Sequence, residues 1–227
     1  MSLLGRLRAA LGRDDAALLR RARHDVQMGV SLNPPACHAP LNRAIDALER
    51  VPNSPEVALL LGRALNAKAR IMGGSVARDL RARAVAKLKS QADLPGSSAT
   101  GQAALWSALA QAWMPLADDI KDPVLCYRQL IHARDAQAMA LSVPDASAHL
   151  AMADIALALC RNPLCPDPRE MARTAHDHAL AARGVADEAD QAATSDALIS
   201  AVLHLFPGLS DRASLKGLGQ LGNNSTR

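Results

Sequence analysis

Aromatic side chains are scarce in this sequence: its 227 residues include two Trp, one Tyr and one Phe. An all-β domain needs aromatic and β-branched residues to cover its pleated faces, so this shortage argues against such a fold. Alanine, the strongest helix former, occupies 47 positions. Charged residues make up 21% of the chain and apolar residues 49%, which excludes the composition of a disordered chain. We therefore predict an all-α protein.

The sequence also lacks long apolar runs. No stretch of 18 apolar residues occurs, so no transmembrane helix is predicted. Residues 1–13 lack the uninterrupted apolar segment of a secretory signal, and the expected location is therefore the cytoplasm, with the four cysteines reduced. Arginine outnumbers lysine by 21 to 5, a bias that together with the alanine content suggests a GC-rich bacterial genome.

Motifs of catalytic centres are missing as well: G-x-S-x-G, H-E-x-x-H and the Walker A sequence do not occur. Neither enzymatic activity nor a cofactor is therefore expected. The alternative is a metal-binding protein or helical-bundle enzyme that uses Cys160, Cys165, His176 and His178. One residue separates the two histidines, whereas structural zinc sites favour H-x(3–5)-H. Packed thiols and surface histidines are the simpler interpretation, and no metal is expected.

The net charge of +4 lies entirely near the N-terminus. Residues 1–23 hold six arginines and two aspartates, whereas the rest of the chain holds 20 basic and 20 acidic residues. A nucleic-acid-binding domain concentrates basic residues over a folded face, so no nucleic-acid partner is expected. The basic run over residues 78–89 is interpreted as a solvated helix surface.

A stripe of leucines coincides with this basic segment. The stripe and its flanking cations are Leu3, Leu4, Leu7 and Leu11 with Arg6, Arg8 and Arg13. The pattern suits an amphipathic helix on an anionic membrane surface, a helix docked in a partner's groove, or a helix packed on its own domain. These three interpretations stay open, and weak peripheral contact with the inner membrane is an expectation of the first.

Proline and glycine clusters divide the chain into segments of helical length. Ser54-Pro55, Asp122-Pro123 and Asp167-Pro168 each place a capping side chain before a proline, which is a helix-start signal. The predicted helices are 14–31, 40–50, 55–72, 75–92, 101–117, 123–142, 146–160, 168–183 and 188–206. We expect three parts, namely a basic helical segment over 1–39, a helical domain over 40–206 and a flexible tail over 207–227.

One predicted helix carries the pattern of a known repeat. Trp106, Leu109, Ala110 and Trp113 occupy the aromatic, leucine, small and aromatic positions that open a tetratricopeptide (TPR) repeat. Residues 55–187 resemble three such helix pairs, although their period is about 44 residues where the ordinary repeat has about 34. The small residue is expected to lie where the two helices of a pair cross.

This resemblance implies antiparallel helix pairs stacked as a TPR-like α-solenoid, with a non-repeating helical bundle as the alternative. In such solenoids the first helices line a concave binding face. The implied function is a non-enzymatic scaffold or adaptor that binds a peptide or protein. The resemblance places the partner-binding residues at Arg63, Asn66, Gln111 and Asp154. Their mixed charge favours a peptide or protein surface over a polyanion, and the oligomeric state stays open.

Overall fold

The structure, a computed structural model, describes residues 3–94, 98–143 and 145–209, without the side chains of residues 3–13. These residues form nine α-helices and two short 3₁₀ turns, with no strand among them. The helices are α1 (Leu3–Ser31), α2 (His38–Leu48), α3 (Pro55–Ile71), α4 (Gly74–Ala92), α5 (Ala99–Trp113), α6 (Pro123–Ala140), α7 (Ala146–Arg161), α8 (Pro168–Gly184) and α9 (Ala189–Leu205). The prediction of an all-α protein is confirmed.

The three helix starts predicted from a capping residue before proline are also confirmed. Ser54, Asp122 and Asp167 each accept a hydrogen bond from a main-chain N–H in the first turn of the helix that follows. The proline at the first helical position has no N–H that would need a partner there. Local chemistry therefore determines where α3, α6 and α8 begin.

Two predicted boundaries are wrong. The first helix is continuous from Leu3 to Ser31, so it begins 11 residues before the predicted residue 14. The fifth helix ends at Trp113 and not at residue 117, because Pro115 disfavours the helical conformation at the residue before it. Met114 accordingly has an extended ψ of 135°.

The chain divides into two compact units, Met1–Val143 and Pro144–Arg227. In the first unit α1 packs on α2, α3 on α4 and α5 on α6, and α3 also contacts both α1 and α5. In the second unit α7 packs on α8, α8 packs on α9, and α9 contacts α7. The predicted division after residues 39 and 206 stays a prediction, and residues 210–227 of the predicted tail lie outside the described part.

Glycine permits a close helix crossing at two places in the first unit. A Cβ atom at Gly62 of α3 would lie 2.6 and 2.7 Å from the two methyl carbons of Leu88 on α4. A Cβ atom at Gly29 of α1 would lie 2.6 Å from Cγ and Cδ2 of Leu41 on α2. Gly62 holds the small-residue position in the first of the three helix pairs that resemble the repeat, and the expectation that this residue lies at the helix crossing is confirmed for it.

The core of the second unit consists mainly of small and aliphatic side chains from its three helices. Its central cluster comprises Ala156, Leu157, Cys160, Ala172, Ala175, Val202 and Leu209. Four of these seven residues are alanine or cysteine, so small side chains fill much of the contact of α7 with α8.

Candidate functional site

The predicted binding residues of the first unit lie where α3 runs beside α5. The side-chain amide of Asn66 and the guanidinium of Arg70, both on α3, donate to the main-chain carbonyl of Gln111, each at 3.3 Å. Gln111 belongs to the last turn of α5, and its carbonyl also accepts from the main-chain N–H of Met114 at 3.3 Å. These bonds fasten the end of α5 to α3, and we call this contact the α3–α5 seam.

The exposure of the predicted residues differs from one to the next. Arg63 and Gln111 are exposed, as expected. A residue on a binding face is expected to face solvent, but Asn66 is only 9% exposed, so this expectation is wrong for it; its amide donates to the carbonyl of Gln111 between the helices. Asp154 is exposed on α7, which belongs to the second unit, whereas the other three residues belong to the first. Within the first unit, the exposed predicted residues are therefore Arg63 on α3 and Gln111 on α5.

Arg70 is a seam residue that the sequence reasoning missed. It is exposed, and it lies seven residues after Arg63, which places the two guanidinium groups two turns apart on one face of α3. The sequence alone predicts that spacing. It does not predict the hydrogen bond from Arg70 to Gln111, because this bond depends on how α5 lies along α3.

A buried carboxylate holds the 3₁₀ turn between α5 and α6 against α4. Asp119 is 1% exposed, and its Oδ2 accepts from Arg81 at 2.6 Å, from the side-chain amide of Gln129 at 3.1 Å and from the main-chain N–H of Leu116 at 3.3 Å. Arg78 lies 3.7 Å from the other carboxylate oxygen. A charge buried this deeply needs such partners, so the network fixes the connection at the end of α5.

A second aspartate fastens the same turn from the solvent side. Asp118 accepts a hydrogen bond from the main-chain N–H of Gly74, at the start of α4, at 3.3 Å. Lys121 pairs with its other oxygen at 3.3 Å. The pKa of Asp118 lies below its usual value, mainly because of the hydrogen bond from Gly74 and next because of Lys121. The connection that follows α5 is therefore held to α4 at two points, by Asp119 and by Asp118.

The interpretation of residues 78–89 as a solvated basic surface is wrong for part of the run. Arg81 is buried against Asp119, and Arg83 forms an ion pair with Glu49 at the end of α2. These carboxylates come from neighbouring elements that lie far away in the sequence. The basic residues of α4 thus serve partly to join helices.

The four residues of the metal-site alternative occupy different surroundings. Cys160 and Cys165 are buried free thiols. The pKa of the Cys160 thiol is raised, mainly by burial and next by the neighbouring Cys165. His176 is buried, so its expected surface position is wrong, and His178 is half-buried. Within the described ranges, no three or more His, Cys, Asp or Glu side chains are grouped so that they could hold a metal ion.

His178 instead faces a histidine that the sequence analysis did not select. Its Nδ1 lies 2.9 Å from Nδ1 of His149 on α7, and the ring centroids are 5.2 Å apart. Burial, and then the neighbouring His149, lower the pKa of His178. The two residues are 29 positions apart, so only the packing of α7 on α8 reveals the pair.

The predicted docking residues near the N-terminus belong to α1. Their side chains lie outside the described residues, and their role stays a prediction: Leu3, Leu4, Leu7, Leu11, Arg6, Arg8 and Arg13. Among the helices that the structure describes, none is both long and apolar enough to cross a membrane.

Comparison with known proteins found no matching family model, no matching curated protein and no matching solved structure. The described residues define an all-helical protein whose first unit pairs α1 with α2, α3 with α4 and α5 with α6.

Proposed function

We propose that this chain is a non-enzymatic interaction protein that binds a peptide or protein along the first helices of TPR-like helix pairs. The observation that supports the proposal is the order of helix contacts. In the first unit α1, α3 and α5 each pack on the helix that follows, and α3 also contacts both α1 and α5. Stacked repeats have this arrangement, because each repeat contacts its neighbours in the sequence.

Two further observations support a stacked architecture over an irregular bundle. Glycine occupies a helix crossing in both of the first two pairs, at Gly29 opposite Leu41 and at Gly62 opposite Leu88. The second unit repeats the contact order, since α7 packs on α8 and α9 contacts both. We therefore favour the solenoid within each unit.

The α3–α5 seam has the chemistry of a binding surface. Arg63 is exposed and forms no ion pair or hydrogen bond within the described part of the chain, so its guanidinium is available to a partner's carboxylate or carbonyl. Asn66 and Arg70 hold the helices beside it in place. A surface that is already rigid loses little conformational entropy on binding, which favours affinity.

The pairing of the basic residues on α4 supports a protein partner over a nucleic acid. Arg78 and Arg81 face Asp119, and Arg83 faces Glu49, so three cations of the run have carboxylate neighbours. Phosphate binding requires cations that are free to neutralise phosphates. For the metal-binding or enzymatic alternative, the geometry of Cys160, Cys165, His176 and His178 supplies no supporting observation, and the cytoplasmic location stays a prediction.

A pair of photo-crosslinking variants tests this proposal. A photo-reactive amino acid replaces Arg63 in one variant and Lys89, an exposed cation of α4, in the other. We expect the Arg63 position to crosslink one defined protein in cells and the Lys89 position not to do so. Equal crosslinking at both positions, or none at Arg63 in a folded and expressed protein, would contradict the proposal.

A further inference from the structure

The contact between His149 and His178 is a head-on hydrogen bond. The nitrogens are 2.9 Å apart and the centroids 5.2 Å apart, and the difference is close to twice the radius of an imidazole ring. Both Nδ1 atoms therefore lie on the line between the rings, and each lone pair or N–H points at the other nitrogen. Two ligands of one metal ion would instead direct their lone pairs at a third point.

Such a contact requires one proton between two nitrogens. A neutral imidazole carries a proton on one nitrogen and a lone pair on the other, whereas an imidazolium has two N–H donors and no acceptor. One histidine can therefore donate to its neutral partner. When both rings are protonated, two N–H groups face each other and the two positive charges repel.

We propose that His149 and His178 form a proton-sharing pair that couples the packing of α7 on α8 to pH, so that acidification loosens the second unit. The pair joins α7 to α8, and these two helices also supply Ala156, Cys160 and Ala175 to the buried cluster of the unit. Separation of the rings thus removes one of the contacts between these helices. The inference does not depend on the proposed partner-binding face of the first unit.

The two histidines occupy different surroundings. His149 lies in the first turn of α7, where the capping residue Asp145 accepts from the main-chain N–H of Ala148 at 2.6 Å. His178 is half-buried on α8, and burial first, then the neighbouring His149, disfavour its charged form.

Charged groups on the surrounding helices do not reverse this preference. Asp177 favours the charged form of His178, but burial and His149 together outweigh it. Asp177 also lies 3.7 Å from the buried His176, and on α9 Asp196 pairs with Arg183 at 3.3 Å. On α7 the titratable Cys160 is buried. The remaining charged or titratable side chains of α7, α8 and α9 are exposed: Asp154, Arg161, Arg169, Glu170, Arg173, Asp190 and His204.

The direction of the pH effect follows from proton binding. In the unfolded chain a histidine has its ordinary pKa of about 6.5, and the pKa of His178 is lower in the folded protein. Between these two values the unfolded chain binds more protons. The stabilisation is therefore complete above about pH 6.5 and is lost as the pH falls through the window below it.

Histidine ring NMR on the full chain tests the proton sharing directly. The native protein, His149→Gln and His178→Gln are titrated, with His204→Gln on α9 as the matched exposed control. We expect His178 to titrate below its ordinary pKa and to move back toward it when His149 is replaced. Titration of His178 that is independent of His149 would overturn the proposal.

Hydrogen exchange measures the coupling to helix packing. We compare α7 and α8 amides of the native protein and of His149→Gln at the same pH, which removes the intrinsic pH dependence of exchange. Acidification should lower native protection relative to the variant by up to about tenfold for each unit by which His149 itself lowers the pKa of His178, because the effect of burial is common to both proteins. An equal loss of protection in the native protein and in His149→Gln on acidification would overturn the proposal. If added Zn²⁺ increased the protection of α7 and α8 amides only when both histidines are present, the pair would be a metal site and the proposal would be wrong.

Discussion

The substitution Gly62→Ala tests the close crossing of α3 and α4. A Cβ atom at this position would contact the Cγ and both methyl carbons of Leu88. Rotation about the bond between Cβ and Cγ of Leu88 moves only its two methyl carbons, so it cannot relieve the clash with Cγ. Leu88 is fully buried, so no empty solvent space lies next to its side chain.

The expected net effect is a loss of stability. Alanine is favoured over glycine in a helix interior by about 1 kcal/mol. Overpacking of a well-packed core costs about 1–3 kcal/mol, and the triple clash with a buried side chain points to the upper part of that range. The free energy of unfolding should therefore fall by about 1–2 kcal/mol.

Urea unfolding followed by tryptophan fluorescence is the suitable assay. Both tryptophans of the chain, Trp106 and Trp113, lie on α5, so the signal reports on the first unit. The matched control is Gly184→Ala at the end of α8, where a Cβ atom would meet no other atom within 4 Å. This control, followed by circular dichroism, should be neutral or stabilising by up to about 1 kcal/mol.

A double-mutant cycle identifies the cause of the effect. Leu88→Ala alone removes a buried side chain and should cost about 2–5 kcal/mol. In the Gly62→Ala background the same change also relieves the clash, so the double variant should be more stable than the sum of the single effects by about 1 kcal/mol or more. Additive effects, or a stabilising Gly62→Ala, would refute the crossing described here.

Three further predictions follow from single contacts. Arg81→Met leaves the buried Asp119 without its closest cation, and urea unfolding monitored by tryptophan fluorescence should show a loss of about 3 kcal/mol, whereas a loss below about 1 kcal/mol would contradict the buried pair. Ser54→Ala removes the cap of α3 and should cost about 1 kcal/mol in the same assay, with Ser54→Asp retaining most of the stability. Cys160, buried and with a raised pKa, should react with a thiol reagent at least about tenfold faster in urea than in the native protein, and equal rates would contradict its burial.

Helix starts were predictable because their causes are local. At Asp122-Pro123 the capping oxygen and the helix it caps are neighbours in the sequence, and the predicted start is the observed one. Gly62 was assigned to a helix crossing because it occupies the small-residue position of the TPR-like pattern, and a Cβ atom there would meet Leu88 of α4. Composition alone sufficed for the fold class.

Contacts between helices were not predictable from the same patterns. Arg81 and Asp119 are 38 residues apart, and His149 and His178 are 29 apart. Each pair depends on the axial register of two helices, and in an alanine-rich chain many registers bury equally small side chains. Asn66 illustrates the consequence, because its helical position was correct but its burial depended on where α5 ends.

The most direct test of the proposed function is the affinity of the partner that crosslinks at position 63. Isothermal titration calorimetry compares the native chain with Arg63→Glu and with Lys89→Glu as the control. Charge reversal at Arg63 should weaken binding by about tenfold or more, or ~1.4 kcal/mol, whereas the control should change it by less than about twofold. Equal weakening by both variants, or unchanged affinity of Arg63→Glu, would contradict a binding face on the first helices.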